Sequence, residues 1–202
     1  MPFIAITGRL PSLSIAELES VLGSDNILSI NPHGVEISGV DDERIFTNLG
    51  GTQKVARVLA RLDSTDWNFL TNQIKKILPE QLADIPEGKI TFGLSVYGLK
   101  TTPKAINGTA LEIKKAIKQN GRSVRVVPNK GLQLNSAQVL HNKLANPNGM
   151  ELLLIKDGRQ TILARTVWVQ DIDAYAARDQ ARPMRDARVG MLPPKLAQTI
   201  IN

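Results

Sequence analysis

The stretch ITFGLSVY (residues 90–97), followed by KAINGTALEIKKAIKQNG (104–121) and SVRVV (123–127), decides how this chain folds. The first piece alternates at the two-residue period of a strand. In the second, Ile106, Ala110, Ile113 and Ile117 recur at helical spacing and share one face. Lys114, Lys115 and Lys118 fall largely on the other. The third piece reads as a strand ended by Pro128. Strand, helix, strand in such a short span is an α/β unit.

Working outward, NSAQVLHNKL (135–144) reads as a short helix from Ser136 to Leu144 with Asn135 as its N-cap. MELLLI (150–155) and TILARTVWV (161–169) form a hairpin around Asp157-Gly158. On the other side, Trp67, Leu70, Ile74, Ile77 and Leu78 mark a helix whose end Pro79 perturbs. This unit begins near Ser64. Ahead of it, FIAIT (3–7) is a buried strand stopped by Gly8. Ser14 with Glu17 three residues on predicts a capping box for a helix closed by Gly23. Residues 26–29 and 34–38 are strands joined by the turn NPHG (31–34). Asp41 or Asp42 caps a helix over 43–49, which Gly50-Gly51 stops, and 54–62 is a strand. Strand, helix, strand, strand, helix, strand is the split βαβ order of a ferredoxin-like domain. The predicted class is α+β.

The net charge is +6, yet residues 1–63 hold five basic and eight acidic side chains. Residues 100–130 hold eight basic side chains (Lys100, Lys104, Lys114, Lys115, Lys118, Arg122, Arg125, Lys130) against one acid, Glu112. Such a window suits a phosphate backbone, because each neutralised phosphate releases counterions. A solvated, solubilising helix face has the same composition. The start of the 136–144 helix, with Asn135, Ser136, Gln138 and the nearby Lys130, is a candidate phosphate contact.

The absence of cysteine excludes disulfides, thiolate metal sites and a cysteine nucleophile. No signal-peptide pattern and no 18-residue apolar run is present, which points to a soluble, cytoplasmic protein without a membrane partner. His33 sits in a Pro-Gly turn and His141 stands alone in a helix, so neither suggests a base or a metal ligand. No catalytic set and no metal spacing is found.

RPMRDARVGMLPPKLAQTIIN (182–202) completes the reading, with a helix starting near Pro193 whose apolar pattern is still running at Asn202. This predicts a chain that continues in the natural protein. Together with NSAQVLHNKL (135–144) and QDIDAYAARD (170–179), it resembles the N-terminal region of the THUMP-containing tRNA methyltransferases that act on the exocyclic amine of guanosine.

The resemblance implies an N-terminal ferredoxin-like domain over 1–63 and a THUMP RNA-binding domain over 64–172. A linker over 173–190 and the first helix of a Rossmann-like methyltransferase domain over 191–202 would follow. It implies tRNA, gripped at its acceptor end, as partner, and S-adenosylmethionine as cofactor of the full-length enzyme, not of this stretch. Arg182, Pro183, Asp186, Met191, Leu192 and Pro193 would then shape one wall of the cofactor pocket. The family's Gly-rich cofactor loop and its Asn/Asp-Pro-Pro-aromatic tetrapeptide are not in this sequence; NPHG (31–34) and NPNG (146–149) lack the second proline and the ring. No catalytic residue carries over, and the chain alone should methylate nothing. Whether a partner subunit joins is open. The alternative is an adaptor whose basic face meets an acidic protein and whose last helix, through Leu192, Leu196 and Ile200, docks on it.

Overall fold

The computed structural model describes residues 2–183 and 190–202. Eight strands and six α-helices are present among them, in a mixed α/β arrangement. They fall into two packing units, residues 1–55 with 168–202, and residues 56–167.

In the first unit the strands run in the order β2 (Ile27–Asn31), β3 (Gly34–Ile37), β1 (Phe3–Thr7), β4 (Thr52–Leu62). Strand β1 is antiparallel to β3, with Ile4 opposite Glu36. The expected 31–34 turn is present: the Asn31 side chain accepts from the His33 and Gly34 N–H groups at 2.8 and 3.0 Å.

Helix α1 (Pro11–Leu22) starts earlier than expected, with Pro11 in its first turn and no side-chain cap. The capping-box reading of Ser14 and Glu17 is therefore wrong. Both lie inside the helix and are buried. Ser14 Oγ donates to the Gly51 carbonyl at 2.9 Å. Glu17 accepts from the Gly50 and Gly51 N–H groups and from Asn202 Nδ2, each at 2.7 Å. A buried carboxylate needs donors, and here the double glycine and Asn202 supply them.

The helix expected over 43–49 is a 3-10 segment, Glu43–Asn48, capped by Asp42. It puts Phe46 edge-on to Phe3, ring centres 5.5 Å apart. Residues expected to begin a linker instead form helix α5 (Ile172–Gln180), because Asp171 caps it and accepts from the Ala174 N–H at 2.9 Å. Helix α6 (Pro194–Ile201) follows the predicted start. A Cβ on Gly50 would lie 2.5 Å from Thr199 Oγ1 and 2.6 Å from the Lys195 carbonyl, so only glycine lets α6 seat there.

The second unit takes β4 from Ala56 onward, then β8 (Gln160–Val169), β7 (Gly149–Asp157), β5 (Ile90–Tyr97) and β6 (Val124–Val126), in that order. Strand β5 is parallel to β6 and β7, and β7 is antiparallel to β8. Helices α2 (Trp67–Ala83) and α3 (Pro103–Gln119) share one core with alternate residues of β5: Ile90, Phe92, Leu94 and Val96. Ile106, Ala110, Ile113 and Ile117 are all fully buried, as their spacing predicts. On the opposite face, a Cβ at Gly93 would meet Leu134 and Leu144 at 2.6 and 2.8 Å; its absence admits helix α4 (Ser136–His141) and its flanks.

Helix α2 does not stop at Pro79. It continues to Ala83 with the proline exposed. Beyond it, Leu82 and Ile85 extend the buried stripe. Each such burial stabilises by about 2 kcal/mol, which together outweighs the roughly 3 kcal/mol disruption of an internal proline. Every residue of β7 from Gly149 to Ile155 is buried, as suits a strand covered on both faces. Glu151 sits in this run, where Ser95 Oγ and Thr166 Oγ1 each donate to it at 2.6 Å.

Candidate nucleic-acid interface

Helix α3 sets out most of the basic window. Thr102 caps it, accepting from the Ala105 N–H at 3.2 Å, and Pro103 fits its first turn. The apolar stripe faces the core, so Lys104, Lys115 and Lys118 point to water, with Lys114 half-buried. The one acid of the window, Glu112, is held by Lys75 of α2 at 2.6 Å. The window's lysines therefore meet solvent with little neutralisation from within α3. Lys100 and Lys130 are also exposed. The loop bearing Lys130 is tied to α3, since Asn107 Nδ2 donates to the Asn129 carbonyl at 2.9 Å and Asn129 N–H donates back at 2.8 Å.

The helix then ends in a Schellman turn. Gly121 takes φ 76°, its N–H donates to Lys118 O at 3.0 Å, and Arg122 N–H donates to Ile117 O at 3.2 Å. This turn directs Arg122 back to the end of α2. Its guanidinium donates to the Leu82, Ile85 and Pro86 carbonyls. Arg122 thus ties the end of α3 to the end of α2 through three of its five N–H donors.

Arg125 stands apart from the α3 lysines. It lines a hollow of about 500 Å³ with Lys89, His141, Asn142, Lys143 and Asn146. Its Nη2 donates to Asn142 Oδ1 at 2.6 Å. Parallel pairing of β5 with β7 sets Thr91 opposite Gly149, which brings Lys89 beside the 146–149 turn. Sequence reading missed this cluster. Its members lie in separate segments, and only the strand register joins them.

At the start of α4, where a phosphate contact is expected, the side chains also build a cap. Asn135 Oδ1 accepts from the Gln138 N–H at 2.8 Å, and Gln138 Oε1 accepts from the Asn135 N–H at 3.0 Å. This is a complete capping box. Ser136 is half-buried beside it. The far end of α4 repeats the Schellman turn of α3, with Leu144 N–H donating to Val139 O at 3.0 Å and Lys143 N–H to Leu140 O at 2.9 Å. Here the left-handed position, φ 55°, is held by Lys143, the one non-glycine residue with positive φ among those described.

No protein-family model matches the sequence, and no curated protein matches it. Solved structures do. TrmN from Thermus thermophilus aligns with 99% of this chain and 53% of its own, at a TM-score of 0.54 and 15% identity. SMU.472, a protein inferred to be a methyltransferase and solved in complex with SAH, aligns with 99% of this chain and 48% of its own, at a TM-score of 0.55 and 12% identity. The likeness to both is one of fold. It spans about half the length of each.

The residues expected to line a cofactor wall lie in the first unit. Arg182 pairs with Asp179 at 2.7 Å and donates to the Leu192 carbonyl at 2.6 Å. Pro183 is exposed, Met191 and Leu192 are 40% and 50% exposed, and Asp186 lies outside the described residues. Pro193 lines a separate hollow of about 390 Å³ with Arg9, Leu13, Lys195 and Leu196. Burial there pulls the Lys195 ammonium below the usual lysine range, against the opposing pull of Glu17. Among the described residues, no cluster of three or more His, Cys, Asp or Glu could hold a metal ion, and no helix is long and apolar enough to cross a membrane.

Proposed function

We propose that this chain is the RNA-recognition region of an S-adenosylmethionine-dependent tRNA (guanine-N2) methyltransferase. In this reading residues 64–172 are a THUMP domain that grips the acceptor end of tRNA. Residues 1–63 form a ferredoxin-like domain, 173–190 a linker and 191–202 the opening helix of the catalytic domain, in a cytoplasmic enzyme. The observation that carries the reading is the α3 surface. A buried apolar stripe fixes the helix, and Lys104, Lys115 and Lys118 stand toward water while the window's only acid is engaged by Lys75. Lysine suits an irregular RNA backbone as a point charge, and A-form RNA is read largely through shape and phosphate contact. The fold shared with TrmN and SMU.472 supplies the methyltransferase context.

A salt titration with tRNA, compared with a hairpin lacking a single-stranded 3′ end, tests this. Binding that weakens steeply with salt and requires the 3′ end is expected. Reversal of Lys114, Lys115 and Lys118 to Glu should weaken binding of every RNA sequence and lower the salt slope by about one for each phosphate that is no longer neutralised. Indifference to RNA at low salt favours the adaptor reading. That reading has its own observation, the exposed apolar side chains Leu192, Ile200 and Ile201 in the first unit.

A further inference from the structure

The geometry points to a phosphate-binding site in the hollow at the start of β5 and β7, with Lys143, Arg125 and Lys89 as its cations. Assignment of that phosphate to an RNA strand rests on the function proposed above. The hollow itself is argued from its own construction.

Its lining carries Lys89, Arg125, Lys143 and His141, with side-chain amides from Asn142 and Asn146, and neither an aspartate nor a glutamate among them. Arg125 is held by one hydrogen bond to Asn142, which orients the planar fork and leaves its other N–H groups for a ligand. Two lysines and an arginine from three separate segments meet here, whereas the α3 lysines are spread along one helix.

The decisive member is Lys143. It occupies the left-handed position of a turn that glycine fills at the end of α3. A side chain with a Cβ is strained in that conformation. The surroundings enforce it: a Cβ on Gly149 would lie 2.1 Å from the Lys143 carbonyl, so the turn is pressed against the start of β7. A strained backbone that keeps a cation over a basic hollow has the character of a binding device. The rival account is that Lys143 only complements the carbonyl end of α4. The two differ in what binding requires: only in the first does phosphate or RNA binding weaken when Lys143 is removed.

The test uses the full chain in three forms: unaltered, Lys143→Gly and Arg125→Gln. Amide NMR with inorganic pyrophosphate and anisotropy with a single-stranded RNA give the two readouts. Pyrophosphate should move the amides of residues 89–91, 142–146 and 148 in the unaltered chain. Each substitution should weaken RNA binding about tenfold, as expected when a charge-assisted hydrogen bond is removed. Lys143→Gly should at the same time raise the urea midpoint. Pyrophosphate shifts without any RNA binding would keep the site, give it a small phosphate ligand and remove the RNA function. RNA binding unchanged within about twofold in both variants, or abolished only on reversal of the α3 lysines, would overturn the site and leave the RNA function standing. No response to either probe overturns both.

Discussion

Helices α3 and α4 end in the same Schellman turn, yet one places Gly121 and the other Lys143 at the left-handed position. At Gly121 a Cβ would meet nothing within 4 Å, so glycine is there for its backbone alone. At Lys143 the protein holds the same conformation with a side chain that disfavours it by about 1–2 kcal/mol. The α3 turn completes a structural joint, through Arg122 and the α2 carbonyls. The α4 turn sets a charge at a hollow. The same turn type thus separates a position chosen for folding from one chosen for its side chain.

The sharpest way to break the contrast is Gly149→Ala. Its methyl group would overlap the Lys143 and Leu144 carbonyls, so a loss of about 3 kcal/mol in urea unfolding is expected. Next is Arg122→Ala, which takes the guanidinium from the Leu82, Ile85 and Pro86 carbonyls, although Leu82 keeps the Ile85 N–H and Pro86 keeps Asn148 Nδ2. We expect a stability loss of about 2 kcal/mol, with RNA affinity per folded molecule unchanged. Gly121→Ala should cost about 1 kcal/mol, while Lys143→Gly should add about 1 kcal/mol, and the opposite signs are the core of the comparison. The smallest effect on stability, within about 0.5 kcal/mol by thermal unfolding, is expected for reversal of Lys115 and Lys118, which face water, and of Lys114, which is only half-buried.

Periodicity makes α3 legible in full: the buried stripe, the exposed lysines and the stop at Gly121 all follow from spacing. Strand β7 is legible as one arm of the hairpin around Asp157-Gly158. Residues whose partners are remote in sequence are not. Ser14 and Glu17 have the spacing of a cap, but their partners are the backbone of Gly50 and Gly51, more than thirty residues away. Pro79 reads as the disturbance of a helix end, because burial of Leu82 and Ile85 beyond it depends on the sheet. The α3 lysines can be chosen from charge alone. Lys89 and Lys143 cannot, since the β5–β7 register brings them together.

The Glu17 carboxylate reaches forward to Gly50 and on to Asn202, and this has a temporal consequence. The first packing unit is interrupted by 112 residues of another. During synthesis on a ribosome, β1 and α1 emerge ahead of that insertion but lack their α6 neighbour until the whole second unit has been made. The contiguous middle of the chain can close early, whereas the residues before it wait, and a nascent polypeptide stalled before residue 168 should resist protease in its middle while the segment preceding it is still cut.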